Sequence, residues 1–482
     1  MFKKISIDLL APFLFLAFFP LFFFKLGQSS LVSFDEAWYA DIARNILKNA
    51  DPINLTWNGR AFIDHPPGGF WLTTLSYLVF GVSEFSARFS SATSGLFTLV
   101  LTYLLGKELF NRVVGFCTAV ALSSSPWFLF RARSGNLDVP LTLFFVVTVY
   151  LAVKCSDNKK YLIPLSLSLA FLFLVKTAVP FTVLPVVLFI LVTSKKVKIA
   201  DIKKPFLIFV IFVCGWFLYK HLKQPGFLRH YFKIGLPGVS VKTSFADNLK
   251  LMKEYFHNGI GKWFWPGIAS IILGTLTFQK RFWIFSILFL SFFTPFLLSE
   301  KGHIWQLVPL HPFLILALFG FFWFLLERIT NLAMEIFNKV GKKYQSAYNL
   351  LNTLKIPAIS ICLLVISFYY SYIQGKRSWY EFIDIPAFIS DEAILSKEAG
   401  KYYEDLYIDG DFLPTAIYYS EKVVKQIQNE ELKGIFEKDE PFLVITYKWR
   451  LDRLEISEAE YEIIKSDRDK ILVKKASTGS NP

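Results

Sequence analysis

The sequence predicts a polytopic α-helical membrane protein of about eleven spans (range about 10–13), followed by a small α/β domain. Three observations carry this. The 482 residues are 54% hydrophobic and include 53 Phe, a load that soluble domains do not carry. Long apolar runs alternate with short basic loops. From about residue 376 the chain turns charged, and its apolar residues recur with the period of strands.

The spans follow in order. Lys3 and Lys4 precede an apolar run over 8–25, too long for the core of a cleaved signal peptide and without an A-x-A-like site after it. It is read as a retained first span. Further spans are expected over 89–110, 113–131, 137–153, 161–175, 179–193, 205–220, 263–278, 282–298, 304–326 and 356–373. The apolar stretch 70–82 is short and reads as an interfacial or re-entrant helix. Two more spans could hide in 221–262 or 327–355.

The net charge of +14 raises nucleic acid as a partner. Its distribution excludes it, because the cations cluster in loops between apolar runs. One set of loops holds Lys3 and Lys4, Lys107 and Arg112, Lys154 with Lys159 and Lys160, Lys195 to Lys204, Lys280 and Arg281, and Arg328 to Lys355. By the positive-inside rule this set is cytoplasmic. The other set, 26–88, 131–137, 176–178, 221–262, 299–303 and everything after 374, is then external. The expected location is a multi-pass position in the plasma or inner membrane, among membrane lipids. Cys117, Cys155, Cys214 and Cys362 lie in or beside apolar runs with no paired spacing, which argues against a disulfide framework or metal site.

The division expected is a membrane domain over 1–375, an external α/β domain over 376–475 and a disordered tail over 476–482. In the second unit, Leu406 to Ile408 and Phe442 to Ile445 read as strands, with a helix near 413–424 between them. Tyr461 to Ile464 and Lys470 to Val473 read as a late strand pair.

Every polar motif of note falls in the external loops. Carboxylates at membrane depth are costly and mark function by default. Asp35 and Glu36 open a helix over Ala37 to Lys48 that presents Trp38, Ile42 and Ile46 on one face, as an interface-lying helix would. Ser33 lies three residues before Glu36, so a capping box is the plain reading of Glu36. A carboxylate held here can also act as general base on an acceptor hydroxyl. Asp138 starts a span directly after Arg131 and Arg133; it either offsets the helix dipole or joins the chemistry. The arginines serve as interfacial anchors or hold an anionic group. Asp64-His65-Pro66-Pro67 is either a rigid turn into the next helix with Asp64 and His65 on the surface, or one that aims both into a cavity, for phosphate or for a divalent cation with His230. Lys176 either snorkels or binds phosphate. Lys301 and His303 close an external loop, and His257 is a weaker signal. Two carboxylates and several cations on one face suit an enzyme acting on a lipid-phosphate-linked sugar. No Gly-rich phosphate loop is present, which fits a donor that is not a nucleotide.

Phe34-Asp35-Glu36-Ala37-Trp38-Tyr39-Ala40-Asp41-Ile42-Ala43-Arg44, Asp64-His65-Pro66-Pro67, Asn136-Leu137-Asp138-Val139-Pro140 and Lys301-Gly302-His303 with Pro309 resemble the bacterial membrane glycosyltransferases of family 39. These stand with the protein O-mannosyltransferases and aminoarabinose transferases in the GT-C fold class. The resemblance covers about residues 1–330. It implies an inverting transferase using a polyprenyl-phosphate-linked sugar, with a lipid, glycan or protein acceptor. It implies Asp35 as the essential acid, Asp138 beside it, and His65, Lys176, Lys301 and His303 near the donor phosphate. Some members of the aminoarabinose branch hold a divalent cation near the acidic-Lys-Pro-Pro turn, here Asp64-His65-Pro-Pro. The chain departs from that branch at His65 and at Trp38, where Arg is usual, so lipid A does not follow as acceptor. The other classes compatible with such a chain are a glycan polymerase or ligase and a lipid-linked sugar transporter.

Overall fold

The computed structural model describes residues 8–32, 34–177, 179–235, 246, 249–250, 253, 258–297, 304–340, 345–410, 412–428, 431–438 and 440–476. Ser33, His257, Lys301, His303 and the tail 477–482 lie outside the described residues.

The chain opens with α1 (Leu10–Phe23), α2 (Asp35–Asn49) and a two-stranded ribbon of β1 (Thr56–Trp57) and β2 (Arg60–Ala61), then α3 (Gly68–Phe80). The bundle continues through α4 (Glu84–Leu109), α5 (Arg112–Ser123), α6 (Pro126–Ala132), α7 (Asp138–Cys155), α8 (Leu162–Val175), α9 (Leu184–Val192), α10 (Ile199–Lys223) and α11 (Phe227–Gly235). It closes with α12 (Phe264–Leu276), α13 (Lys280–Leu297), α14 (His311–Val340) and α15 (Gln345–Phe382). Each expected span overlaps one of these helices, except 113–131, which is divided between α5 and α6. Among the described residues six helices are long and apolar enough to cross a membrane, and α5 with α6 makes a seventh if counted as one bent span. The 14-residue α1 is about 21 Å long, short of a hydrocarbon core of about 30 Å.

Two local features shape the site. Pro126 disfavours helix at the residue before it, and α5 and α6 meet at 71°. The expected single span 113–131 is therefore broken, and the break turns Arg131 inward. Gln374 of α15 donates to the Ser124 carbonyl freed there (2.8 Å). Gly115 lets α4 and α5 touch: a Cβ there would lie 2.3 Å from the Tyr103 carbonyl oxygen.

The last membrane helix runs past the expected boundary at 376, to Phe382, with Arg377 and Glu381 paired one turn apart (2.6 Å). An extended strap then leads to α16 (Asp391–Ala399), β3 (Asp405–Asp409), α17 (Leu413–Ser420), β4 (Val424–Ile427), α18 (Glu431–Phe436), β5 (Phe442–Tyr447), α19 (Lys448–Arg453), β6 (Tyr461–Asp467) and β7 (Lys470–Lys475). The sheet order is β4-β3-β5-β7-β6. Strand β3 is parallel to β4 and β5, and β7 is antiparallel to β5 and β6. Central β5 is buried residue after residue because helices cover both faces.

This unit sits on α2. Arg44 donates to the Tyr418 carbonyl (2.7 Å), stacks on the Tyr418 ring and pairs with buried Asp41. Nine of the fifteen residues of α2 are buried. The expected interface-lying helix is thus a layer between the bundle and the sheet unit. Asp41 and Arg44 on its charged face are buried against the protein.

Candidate active site

Asp35 and Asp138 converge from opposite sides on one arginine. Asp35 is the first residue of α2 and Asp138 the first of α7, so each helix presents its positive end to a carboxylate. Arg131, at the end of α6, donates through one terminal nitrogen to both Asp35 Oδ2 (2.9 Å) and Asp138 Oδ2, and through Nε to Asp138 Oδ2 (2.9 Å). Lys176, where α8 ends, reaches the other oxygen of Asp138 at 2.5 Å. Asn136 holds the loop between them, donating to the Arg131 carbonyl (2.5 Å) and accepting from the Asp138 N–H (2.9 Å).

The two carboxylates differ in access. The Asp138 side chain is 1% exposed and enclosed by two cations, whereas that of Asp35 is 31% exposed. Asp35 and Arg131 line a cavity of about 600 Å³ whose wall also carries Lys25, Arg88, Arg133 and Phe388 of the strap. Lys25 pairs with Asp384 (2.7 Å) and ties the strap to the end of α1. Phe34, just before Asp35, has φ +70°, a costly conformation for a bulky residue and one that clusters at functional sites.

Glu36, expected beside Asp35 as a catalytic candidate, turns the other way. It accepts from Arg88 (2.7 and 2.9 Å), the Val32 N–H (2.8 Å) and the Gly135 N–H (2.9 Å). Burial pushes its carboxyl up, but the Arg88 pair and these donors outweigh it and hold it below the ordinary value. Arg88 in turn satisfies the carbonyls of Leu26, Ser29 and Ser30. The pair therefore ties three chain segments together behind Asp35.

Arg133, expected at the donor phosphate, donates to the carbonyls of Leu21 and Phe22 (both 3.0 Å) and Phe24 (2.6 Å). It caps the end of α1, and its charge faces helix carbonyls. His65, expected near the donor phosphate, is half-buried. Thr177 donates its hydroxyl proton to the Asp64 carbonyl (2.6 Å), so His65 Nδ1–H donates to Thr177 (2.8 Å) and Nε2 accepts from Tyr39 (3.1 Å). Burial, reinforced by the Lys176 charge, pushes the imidazole down to about 4. A neutral ring bridging two hydroxyls positions Tyr39; it adds no charge for a phosphate.

Asp64 Oδ1 meets His230 Nε2 of α11 at 2.7 Å. His65, with both nitrogens engaged elsewhere, does not join them. Among the described residues no group of three or more His, Cys, Asp or Glu side chains is placed to hold a metal ion. The expected trio of Asp64, His65 and His230 thus reduces to a pair.

Sequence reasoning singled out Asp35, Asp138, Arg131 and Lys176, and the fold brings these four together. It missed Arg88 and Tyr39. Arg88 carried a signal, an arginine just inside the apolar span of α4.

Residues 64–219 match the family model described as dolichyl-phosphate-mannose-protein mannosyltransferase. An uncharacterized protein of Aquifex aeolicus (strain VF5) is 33% identical over 208 residues, 42% of each chain. An undecaprenyl phosphate-alpha-4-amino-4-deoxy-L-arabinose arabinosyl transferase of Pseudomonas savastanoi pv. phaseolicola is 32% identical over 134 residues, 28% of this chain and 25% of that one. The matched regions span less than half the length of these curated relatives. The crystal structure of ArnT from Cupriavidus metallidurans bound to undecaprenyl phosphate superposes at a TM-score of 0.71, with 15% identity and full coverage of both chains. The apo structure of the same protein gives 0.72, covering 99% of this chain and 100% of that one. The chain shares the GT-C membrane fold of these ArnT structures, and residues 64–219 carry its match to the mannosyltransferase family model.

Proposed function

We propose that the chain is an inverting glycosyltransferase that moves a sugar from a polyprenyl-phosphate donor to a hydroxyl of a lipid, glycan or protein acceptor at the external membrane face. The observation that carries this is Asp35. It is the partly exposed carboxylate of the cluster, it lines the cavity, and Arg131 fixes it against the buried Asp138–Lys176 pair. The relative named an undecaprenyl phosphate aminoarabinose transferase and the ArnT structure holding undecaprenyl phosphate support the donor class.

In this reading Asp35 takes the acceptor hydroxyl proton. The acceptor oxygen bonds to the anomeric carbon as the bond from that carbon to the phosphate oxygen breaks, with inversion. The leaving group is polyprenyl phosphate. Its developing charge needs cations in a water-poor site, a role assigned to Arg131 and Lys176 and, outside the described residues, to Lys301 and His303. Asp138 orients both described cations. Glu36 is a positioning residue. A divalent cation would find only the Asp64–His230 pair among the described residues.

The test is a transfer assay in membranes with an isotopically labelled polyprenyl-phosphate sugar. Sugar transfer with release of polyprenyl phosphate is the expected result. Passage of the donor unchanged would show a transporter, and release of polyprenyl diphosphate would show a ligase or polymerase.

A further inference from the structure

We infer that the end of the bundle opposite Asp35 binds an anionic phospholipid, with its phosphate held by Lys280 and Arg281. The inference rests on the membrane fold and not on the proposed sugar transfer. Helix α7 runs from Asp138 to Cys155, about 27 Å at 1.5 Å per residue, and so connects the two ends. Where α4, α7 and α9 meet the start of α13, a groove of about 450 Å³ is lined by apolar Leu109, Val153, Ile190 and Ile284 and edged by Lys280 and Arg281.

The surroundings point to a lipid. Lys107, Lys154 and Lys159 nearby each hold a carboxylate, from Asp8, Glu108 and Asp201. Lys280 and Arg281 form no ion pair among the described residues; Glu327 attracts Arg281 without pairing with it. Arg281 is held ready: Nε donates to Gln279 (2.8 Å), and the guanidinium lies 5.0 Å from the Phe110 ring centroid. Its terminal nitrogens remain for two oxygens of a phosphate, which the guanidinium fork binds in bidentate fashion. Just before Gln279 of the groove in the chain, Leu276 and Phe278 are 65% and 80% exposed, surface suited to acyl chains. Cations edging an apolar groove between helices are the chemistry that holds phospholipid head groups.

The experiment titrates the purified full-length chain in detergent with tetraoleoyl cardiolipin, dioleoylphosphatidylglycerol or dioleoylphosphatidylcholine, reading bound lipid by native mass spectrometry. The anionic lipids should bind at least about tenfold more tightly than phosphatidylcholine. Lys280→Ala and Arg281→Ala should each weaken them about fivefold, from about 1 kcal/mol per cation near a phosphate surface. Lys203→Ala, a change at an exposed cation of α10, should have no effect, and Arg281→Lys should fall between wild type and Arg281→Ala. Equal binding of phosphatidylcholine, or a Lys280→Ala/Arg281→Ala chain that binds like wild type, would overturn the inference. So would full competition by inorganic phosphate at millimolar concentration, which would mark a free-phosphate site. Equal loss of undecaprenyl phosphate binding in the double variant would place these cations on the donor path instead.

Discussion

Replacing Glu36 with Gln separates its structural role from a chemical one. The carboxylate accepts four hydrogen bonds, two from Arg88 and two from backbone N–H groups at Val32 and Gly135. Gln keeps the shape but loses the charge, and its amide N–H₂ must face one of those donors. Hydrogen bonds to a charged group contribute about 1.5–3 kcal/mol each. Removing one partner of a buried ion pair costs about 3–5 kcal/mol. Some of the four bonds survive in Gln, so a loss of about 3 kcal/mol is expected. The folded carboxyl titrates below its usual 4.5, so its contribution is present above that value and is lost as pH falls through the folded pKa. Glu36→Gln should therefore lower the unfolding midpoint at neutral pH and flatten its fall in acid below about pH 4.5. The assay is thermal unfolding of purified protein in detergent from pH 3 to 7, with turnover per folded molecule measured beside it. Turnover should stay within about threefold of wild type, because Glu36, although it borders the cavity, has its carboxylate taken up by Arg88 and two backbone N–H groups. A variant with an unchanged midpoint and abolished turnover would refute this reasoning and return Glu36 to the chemistry.

Two further outcomes follow from the geometry. His65 is depressed to about 4 against an ordinary 6.5, so the neutral ring contributes stability that is complete above about pH 6.5 and lost as pH falls towards 4, up to about 3 kcal/mol. His65→Asn should remove that slope in the same unfolding series while costing some stability at pH 7, where the bridge between Thr177 and Tyr39 is cut; an unchanged slope between pH 4 and 6.5 would count against a buried neutral imidazole. For the topology, the fully exposed Tyr403 is the position to label, since a side chain on Gly400 would meet the Ser420 carbonyl. Tyr403→Cys in a chain with its four cysteines replaced should react with an impermeant maleimide in intact cells, and protection there would move the whole site to the other face.

Much of this was legible in the sequence because membrane helices announce themselves through apolar length, and charges at their ends stand out against it. Asp35, Asp138 and Lys176 were visible on that ground, and the fold joins them through Arg131. The partners of charges were not legible. Glu36 read as a helix cap beside Asp35, and only the packing of α4 against the loop before α2 brings Arg88 within 2.7 Å of it. His65 read from its turn as a phosphate or metal contact, but its partners are Tyr39 and Thr177, residues 26 and 112 positions away. The amphipathic pattern of α2 was read correctly as two-faced. What covers its polar face is a sheet unit almost 400 residues later, contacted through Arg44 and Tyr418, and no local pattern encodes that. Strand β4 was missed because Val424–Ile427 is four residues long with two exposed positions, too short for a period to show.

The central claim is that Asp35 takes the acceptor proton, and Asp35→Asn tests it most directly. Turnover with a polyprenyl-phosphate sugar, donor affinity and unfolding midpoint should be measured on the same purified variant. The amide cannot take the proton, and a lost general base removes about 10²–10⁴-fold in rate. The same change at a helix start costs about 1 kcal/mol of stability. Turnover should fall by that factor while donor affinity and midpoint stay near wild type. Near-native turnover in a folded Asp35→Asn chain would contradict the claim, leaving Asp35 as a helix-start residue and Asp138 as the carboxylate to test next.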